Sequence, residues 1–304
     1  MKHTKIAIIG AGNVGSTIAY ACILQNICAE IILIDIQQDT CRGQVIDLED
    51  ALAQSYTSGI KTGSFEQAAH ADIILICAGA NQKIGQSRSD LITTNKNVIA
   101  SIFASLGTIQ DKCIIIMVTN PLDALTRYAQ QISSHPQHLI FGSGTYLDSQ
   151  RLCTYLSQKI SIAPESINAY MIGEHGDSAF PAWSCARIGG SPLASFAELH
   201  PDALEAIAQK ARAKAYDIIK LKCATYFGIA ACVTTLCKAI ISDRKSIFPL
   251  SVYHKEHDIC FSMPAILGAS GIEKTLSLPL NKKEEKLLSQ SIEKIKSDMQ
   301  ELGQ

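Results

Sequence analysis

The chain has 304 residues, 47% hydrophobic and 18% charged, with a formal net charge of -1 at pH 7. That length suits one large domain or two of ordinary size. The balanced charge supplies no basic field for nucleic acid or an anionic membrane surface, which argues against both as partners.

Taken from the N-terminus, "MKHTK" followed by "IAIIGAG" imitates the basic region and apolar core of a signal peptide. Gly10, Gly12, Asn13 and Gly15 interrupt that run. No other segment approaches the roughly 18 continuous apolar residues of a membrane span. The chain is therefore expected to be soluble and unexported. Eleven cysteines without a Cys-x-x-Cys pair argue against a disulfide framework and structural zinc. They read as reduced, mostly buried thiols of a cytoplasmic protein.

The first half alternates. "KIAIIG", "EIILID", "ADIILICAG", "KCIIIMVT" and "HLIFGSG" read as strands, separated by helical stretches beginning at "NVGST", "TCRGQ", "DLITT" and "PLDAL". Unbroken apolar strands alternating with helices signal a parallel sheet covered on both faces, doubly wound in the Rossmann manner. The second half is mixed α+β. "SINAYMIG" and "AWSCARIG" read as strands, 202–223 and 225–241 as helices, and "KSIFPLSVYH" and "DICFSMP" as antiparallel strands. "HKEH" has two histidines three apart and no further ligand nearby, so it is expected on the surface and no metal site is expected. The last element is a helix from Asn281, a predicted N-cap with Glu284 three residues on. Its stripe of Leu288, Ile292, Ile295, Met299 and Leu302 should pack on the chain's own core. The border is expected near Gly144, dividing a dinucleotide-binding domain, 1–144, from a substrate-binding domain, 145–304.

"GAGNVG" at Gly10 to Gly15 fits G-x-G-x-x-G, with a strand before, a helix after, and Asp35 closing the next strand. Such glycines allow a tight turn and close approach of backbone to a pyrophosphate at a helix N-terminus. Asp35 can accept bonds from ribose hydroxyls and would repel a 2′-phosphate, which favours NAD over NADP. In the rest of the chain, groups suited to reducing a 2-oxo acid recur near strand ends or loops. Arginine suits a carboxylate, and an acid with an anionic partner suits the ketone oxygen. "ANQKIGQSR" carries Arg88 on a potential lid, "VTNP" carries Asn120, "GTYLDSQR" places Asp148 and Arg151 three apart, and "GEHGDS" supplies His175.

These motifs, in this order and with "KCATYFGIA" after them, resemble the L-lactate/malate dehydrogenase family from about Thr4 to Met299, and most resemble its bacterial lactate branch. The resemblance implies that His175 is the general acid/base, that Asp148 orients it and that Arg151 grips the substrate carboxylate. It implies that Arg88 polarises the carbonyl on lid closure and that Asn120 bonds near the reacting oxygen. Thr225 and Ile229 would line the pocket of substrate and nicotinamide. Gly10, Gly12, Asn13, Val14, Gly15, Asp35, Ala78, Gly79, Asn120 and Ile229 would meet NAD. Gln82 stands where lactate enzymes carry glutamine and malate enzymes arginine, which implies pyruvate and L-lactate; a second substrate carboxylate left unpaired there would be costly. The open alternatives are malate, a bulkier 2-hydroxyisocaproate-like acid, or a non-catalytic NAD-binding protein. The family also implies glycolysis and a homotetramer, with a dimer as the alternative because the first strand starts without a long preceding arm. Cys153 and Asn168 replace the arginine and histidine of members activated by fructose 1,6-bisphosphate, so no strong activation is expected. Cys223 stands where the family often has glycine, and Ser87 and Ser89 flank Arg88.

Overall fold

The computed structural model describes residues 4–80 and 88–303, with backbone alone at 88 and 89. In the first half β1 (Lys5–Ile9), α1 (Asn13–Leu24), β2 (Glu30–Ile34), α2 (Gln38–Leu52), β3 (Gly59–Thr62), α3 (Phe65–Ala69), β4 (Ile73–Ile76), α4 (Arg88–Leu106), β5 (Ile114–Met117), α5 (Leu122–Ile132) and β6 (Ile140–Gly142) alternate. The second half holds α6 (Tyr146–Ile160), the short strands β7 (Ile167–Asn168), β8 (Met171–Ile172), β9 (Phe180–Pro181), β10 (Arg187–Ile188) and β11 (Ser191–Pro192), then α7 (Pro201–Lys222) and α8 (Phe227–Ile241). It ends with β12 (Ser246–His254), β13 (Ile259–Gly268), β14 (Gly271–Thr275) and α9 (Lys282–Glu301).

The main sheet runs β14-β13-β12-β6-β5-β4-β1-β2-β3. Its six first-half strands are parallel, in Rossmann order, and β12 to β14 extend the same sheet antiparallel from β6. Successive strand residues face opposite sides, so each parallel strand must be apolar throughout to serve two cores. Ile9, Ile32, Ile74 and Ile115 face a core shared with α4, α5 and α9. Ile8, Leu33, Leu75 and Ile116 face one shared with α1, α2 and α8. The terminal helix behaves as its sequence suggests: Asn281 and Glu284 close a reciprocal capping box, and Ile292, Ile295, Met299 and Leu302 are buried in the first core.

Four sequence expectations need correction. The reading names no element between α2 and β4, yet β3 and α3 lie there. β3 is an edge strand with Ile60 its only buried residue, and α3 is too short to show a period. "SINAYMIG" is not one strand, because the chain changes partners within it: β7 pairs with β10, whereas β8 pairs with β9. "AWSCARIG" likewise contains a 3-10 turn at Trp183–Cys185 before β10. His254 is not a surface residue. Its side chain is 10% exposed and stacks on Phe261 at 3.5 Å, and burial drives its pKa down to about 4. The eleven cysteines are free, eight of them buried.

Candidate active site

Three segments meet at this site, each held there by its own local chemistry. After β6 the chain turns at Gly144, φ +60, where a Cβ would stand 2.6 Å from the backbone of β12. Only glycine combines that conformation with that approach. Thr145 then donates its hydroxyl to Met171 O at 2.6 Å and fixes the start of α6. Asp148 and Arg151, one turn into α6, share a face, and Arg151 Nη1 donates to Asp148 Oδ1 at 3.2 Å.

The other Asp148 oxygen lies 2.8 Å from His175 Nδ1. His175 arrives from β8 through Gly173, φ +90, whose missing Cβ lets the chain pass Ser291. Exposures are 13% for Asp148, 9% for Arg151 and 25% for His175, so water reaches chiefly the imidazole. Burial opposes the Asp148 charge, but His175 and Arg151 outweigh it and hold the carboxyl below its ordinary range. Burial likewise opposes a charged His175, yet the Asp148 carboxylate, with Asp123 behind it, raises the ring's pKa above the usual histidine value. The arrangement is an imidazole biased towards its protonated form beside a nearly buried guanidinium, which suits a carboxylate-bearing ketone.

The dinucleotide end is formed at the carboxyl edge of β1, β2, β4 and β5. Gly10, φ +106, and Gly15 permit a turn so tight that a Cβ on either would strike backbone, whereas a Cβ at Gly12 would meet open space. The N-terminus of α1, where Asn13 and Val14 begin the helix, has no side-chain cap. Its free N–H groups suit a pyrophosphate. Asp35 accepts Ala11 N–H at 2.7 Å and Gln37 N–H at 2.9 Å, locking the glycine turn to the end of β2. These residues fit a dinucleotide.

Ala78 and Gly79 follow β4, and Asn120 follows β5. Two residues that the sequence reading missed tie these ends together. Asn95 accepts Ala80 N–H at 2.7 Å and donates to Asn120 O at 2.8 Å, and Thr119 donates to Ala78 O at 2.7 Å. Their only sequence signal is polarity on otherwise apolar faces. Thr225 and Ile229 flank the start of α8, where Gly228 packs on Leu147 of α6. Tyr216 of α7 donates to Asp177 at 2.5 Å and so reaches the His175 loop. Gln82, Ser87 and the side chains of Arg88 and Ser89 lie outside the described residues. The Cys153 thiol is buried and bonds Ile167 O and Ala169 O at 3.5 and 3.6 Å. Among the described residues no group of three His, Cys, Asp or Glu side chains is placed to hold a metal ion, and no helix is long and apolar enough to cross a membrane.

A dinucleotide cradle at the carboxyl edge of the parallel strands, together with a carboxylate-backed imidazole after β8, suits a nicotinamide-dependent dehydrogenase. Known proteins narrow the class. Residues 4–142 match the lactate/malate dehydrogenase NAD binding domain, and residues 145–304 match the lactate/malate dehydrogenase alpha/beta C-terminal domain. L-lactate dehydrogenase A of Rhizopus oryzae is 45% identical over 97% of this chain and 92% of its own length. L-lactate dehydrogenase of Lacticaseibacillus casei is 37% identical over 97% and 93%. The crystal structure of MGS-M5, a lactate dehydrogenase from a Medee basin deep-sea metagenome library, superposes with a TM-score of 0.96 at 32% identity, covering 100% of both chains. The chain belongs to the lactate/malate dehydrogenase family, and its cofactor is NAD.

Proposed function

We propose that the protein interconverts pyruvate and L-lactate with NAD, His175 acting as general acid in reduction and general base in oxidation. The 2.8 Å contact of His175 with Asp148, whose second oxygen meets Arg151, carries this reading. The names of the similar enzymes support the substrate, as does the neutral amide of Gln82, which offers no cation to a second carboxylate.

When bound, the nicotinamide supplies or accepts the hydrogen with its electron pair. The chain's own residues do the rest. Gly10, Gly12, Asn13, Val14, Gly15, Asp35, Ala78, Gly79, Asn120 and Ile229 hold the dinucleotide. Arg151 binds the substrate carboxylate, which fixes the ketone oxygen towards His175. Asp148 accepts from Nδ1, leaving Nε2 to hold the transferable proton. Asn120 and Arg88 steady charge on the ketone oxygen, and Thr225 lines the substrate pocket. We read 1–144 as the NAD-binding domain and 145–304 as the substrate domain, in a cytoplasmic, glycolytic homotetramer that fructose 1,6-bisphosphate does not strongly activate.

A panel of 2-oxo acids with NADH tests the assignment. kcat/KM is expected to favour pyruvate over oxaloacetate by about 100-fold or more, the scale of one unpaired buried charge. Preference for oxaloacetate or 2-oxoisocaproate would refute it.

A further inference from the structure

The loop bearing His175 is anchored at two points, and only one of them is the imidazole. Asp123, in the first turn of α5, is 3% exposed. Its Oδ2 accepts the backbone N–H of His175 at 2.7 Å, and its Oδ1 accepts the Ser251 hydroxyl at 2.6 Å. Ser251 is fully buried in β12 and pairs with Gly142 of β6. One carboxylate therefore joins α5, the middle of the sheet and the loop that presents the imidazole. A backbone N–H and a hydroxyl are neutral donors, and a neutral acceptor would serve both. A buried charge is costly when it does nothing more than that.

We propose that Asp123 is a positioning residue for His175, fixing its backbone while its negative charge helps keep the proton on the ring. This inference rests on the reading of His175 as the acid/base group.

Burial pushes the Asp123 carboxyl up to about 7, against the bonds from Ser251 and His175 and the His175 charge, all of which favour the anion. For His175, burial is the largest influence and lowers the pKa, Asp148 more than restores it, and Asp123 adds to Asp148. The two groups are thus electrostatically coupled, each charge favouring the other. From the surrounding elements, Asp148 and Arg151 of α6, Glu174 of the loop and Cys260 of β13 face this pair. Arg151 opposes a charged ring, and Glu174 opposes a charged Asp123. Burial drives the Cys260 thiol well above its ordinary value, so it stays neutral. Arg127, one turn along α5, donates to Asp258 at 2.7 Å. Within this set Asp148 and Asp123 are the two anions that favour the imidazolium.

The test follows kcat/KM for pyruvate at saturating NADH between about pH 5.5 and 9. It uses the full chain as wild type, Asp123→Asn and Ser251→Ala, with NADH affinity measured by fluorescence. Asp123→Asn keeps an oxygen for the His175 N–H and loses the charge. Its alkaline limb is expected to move to lower pH by roughly half a unit or more, with about a threefold or greater loss at the alkaline end and unchanged NADH affinity. Ser251→Ala removes one donor to the anion and should shift the limb in the same direction, by less. An Asp123→Asn enzyme that binds NADH but overlays the wild-type profile overturns the inference. If that variant fails to fold, an unshifted Ser251→Ala profile overturns it instead. A His175→Asn control separates the two readings: pyruvate reduction surviving there would sink the acid/base assignment itself, whatever Asp123 does.

Discussion

In the proposed reaction His175 protonates the ketone, so the charge on the ring must be held at the pH where reduction occurs. Asp148 does this from 2.8 Å, and it stays ionised because Arg151 and the ring both face it. An Asp148→Asn variant keeps the shape and removes the charge, which lowers the His175 pKa. The sign follows directly. Reduction needs the protonated ring, so its alkaline limb should move to lower pH. Lactate oxidation needs the neutral ring, so its acid limb should move the same way. Pyruvate kcat/KM should fall by about 10²–10⁴-fold, the usual worth of an oriented acid. Steady-state profiles in both directions check this, and limbs left in place would assign Asp148 a purely steric role.

At the scale of elements, the join between α7 and α8 carries visible strain. Cys223 ends α7 with φ +67 and ψ -16, a left-handed conformation that costs a side chain roughly 1–2 kcal/mol and glycine almost nothing. Cys223→Gly is therefore expected to stabilise the fold by about 1 kcal/mol, read as a rise in the urea midpoint at constant slope. A lower midpoint would mean that the exposed thiol makes a contact worth more than the strain. The same junction shows what sequence could reveal. The helices 202–223 and 225–241 were legible from their period. The conformation of Cys223 was not, because only a departure from a family's glycine hinted at it. β3 escaped for a related reason: a single buried residue, Ile60, makes no pattern. α9 was legible down to its cap, since Asn281, Glu284 and the apolar stripe all point to one helix.

Across the whole molecule, one sheet places the two halves of the site. The parallel strands bring the glycine turn, Asp35, Gly79 and Asn120 to a common edge, and β12, paired to β6, carries Ser251 towards Asp123 and the His175 loop. The parallel half was legible because its strands must be apolar on both faces, and the motif residues because their chemistry is unusual. What escaped was contact at long sequence separation. Asn95 with Asn120 and Asp123 with His175 are polar pairs whose partners only the fold brings together. The central claim is that His175 delivers the proton, and single-turnover oxidation of bound NADH by pyruvate in a His175→Asn variant tests it most directly. The account predicts intact NADH binding with a transfer rate lowered by about 10³-fold or more; a rate within about tenfold of wild type would contradict it.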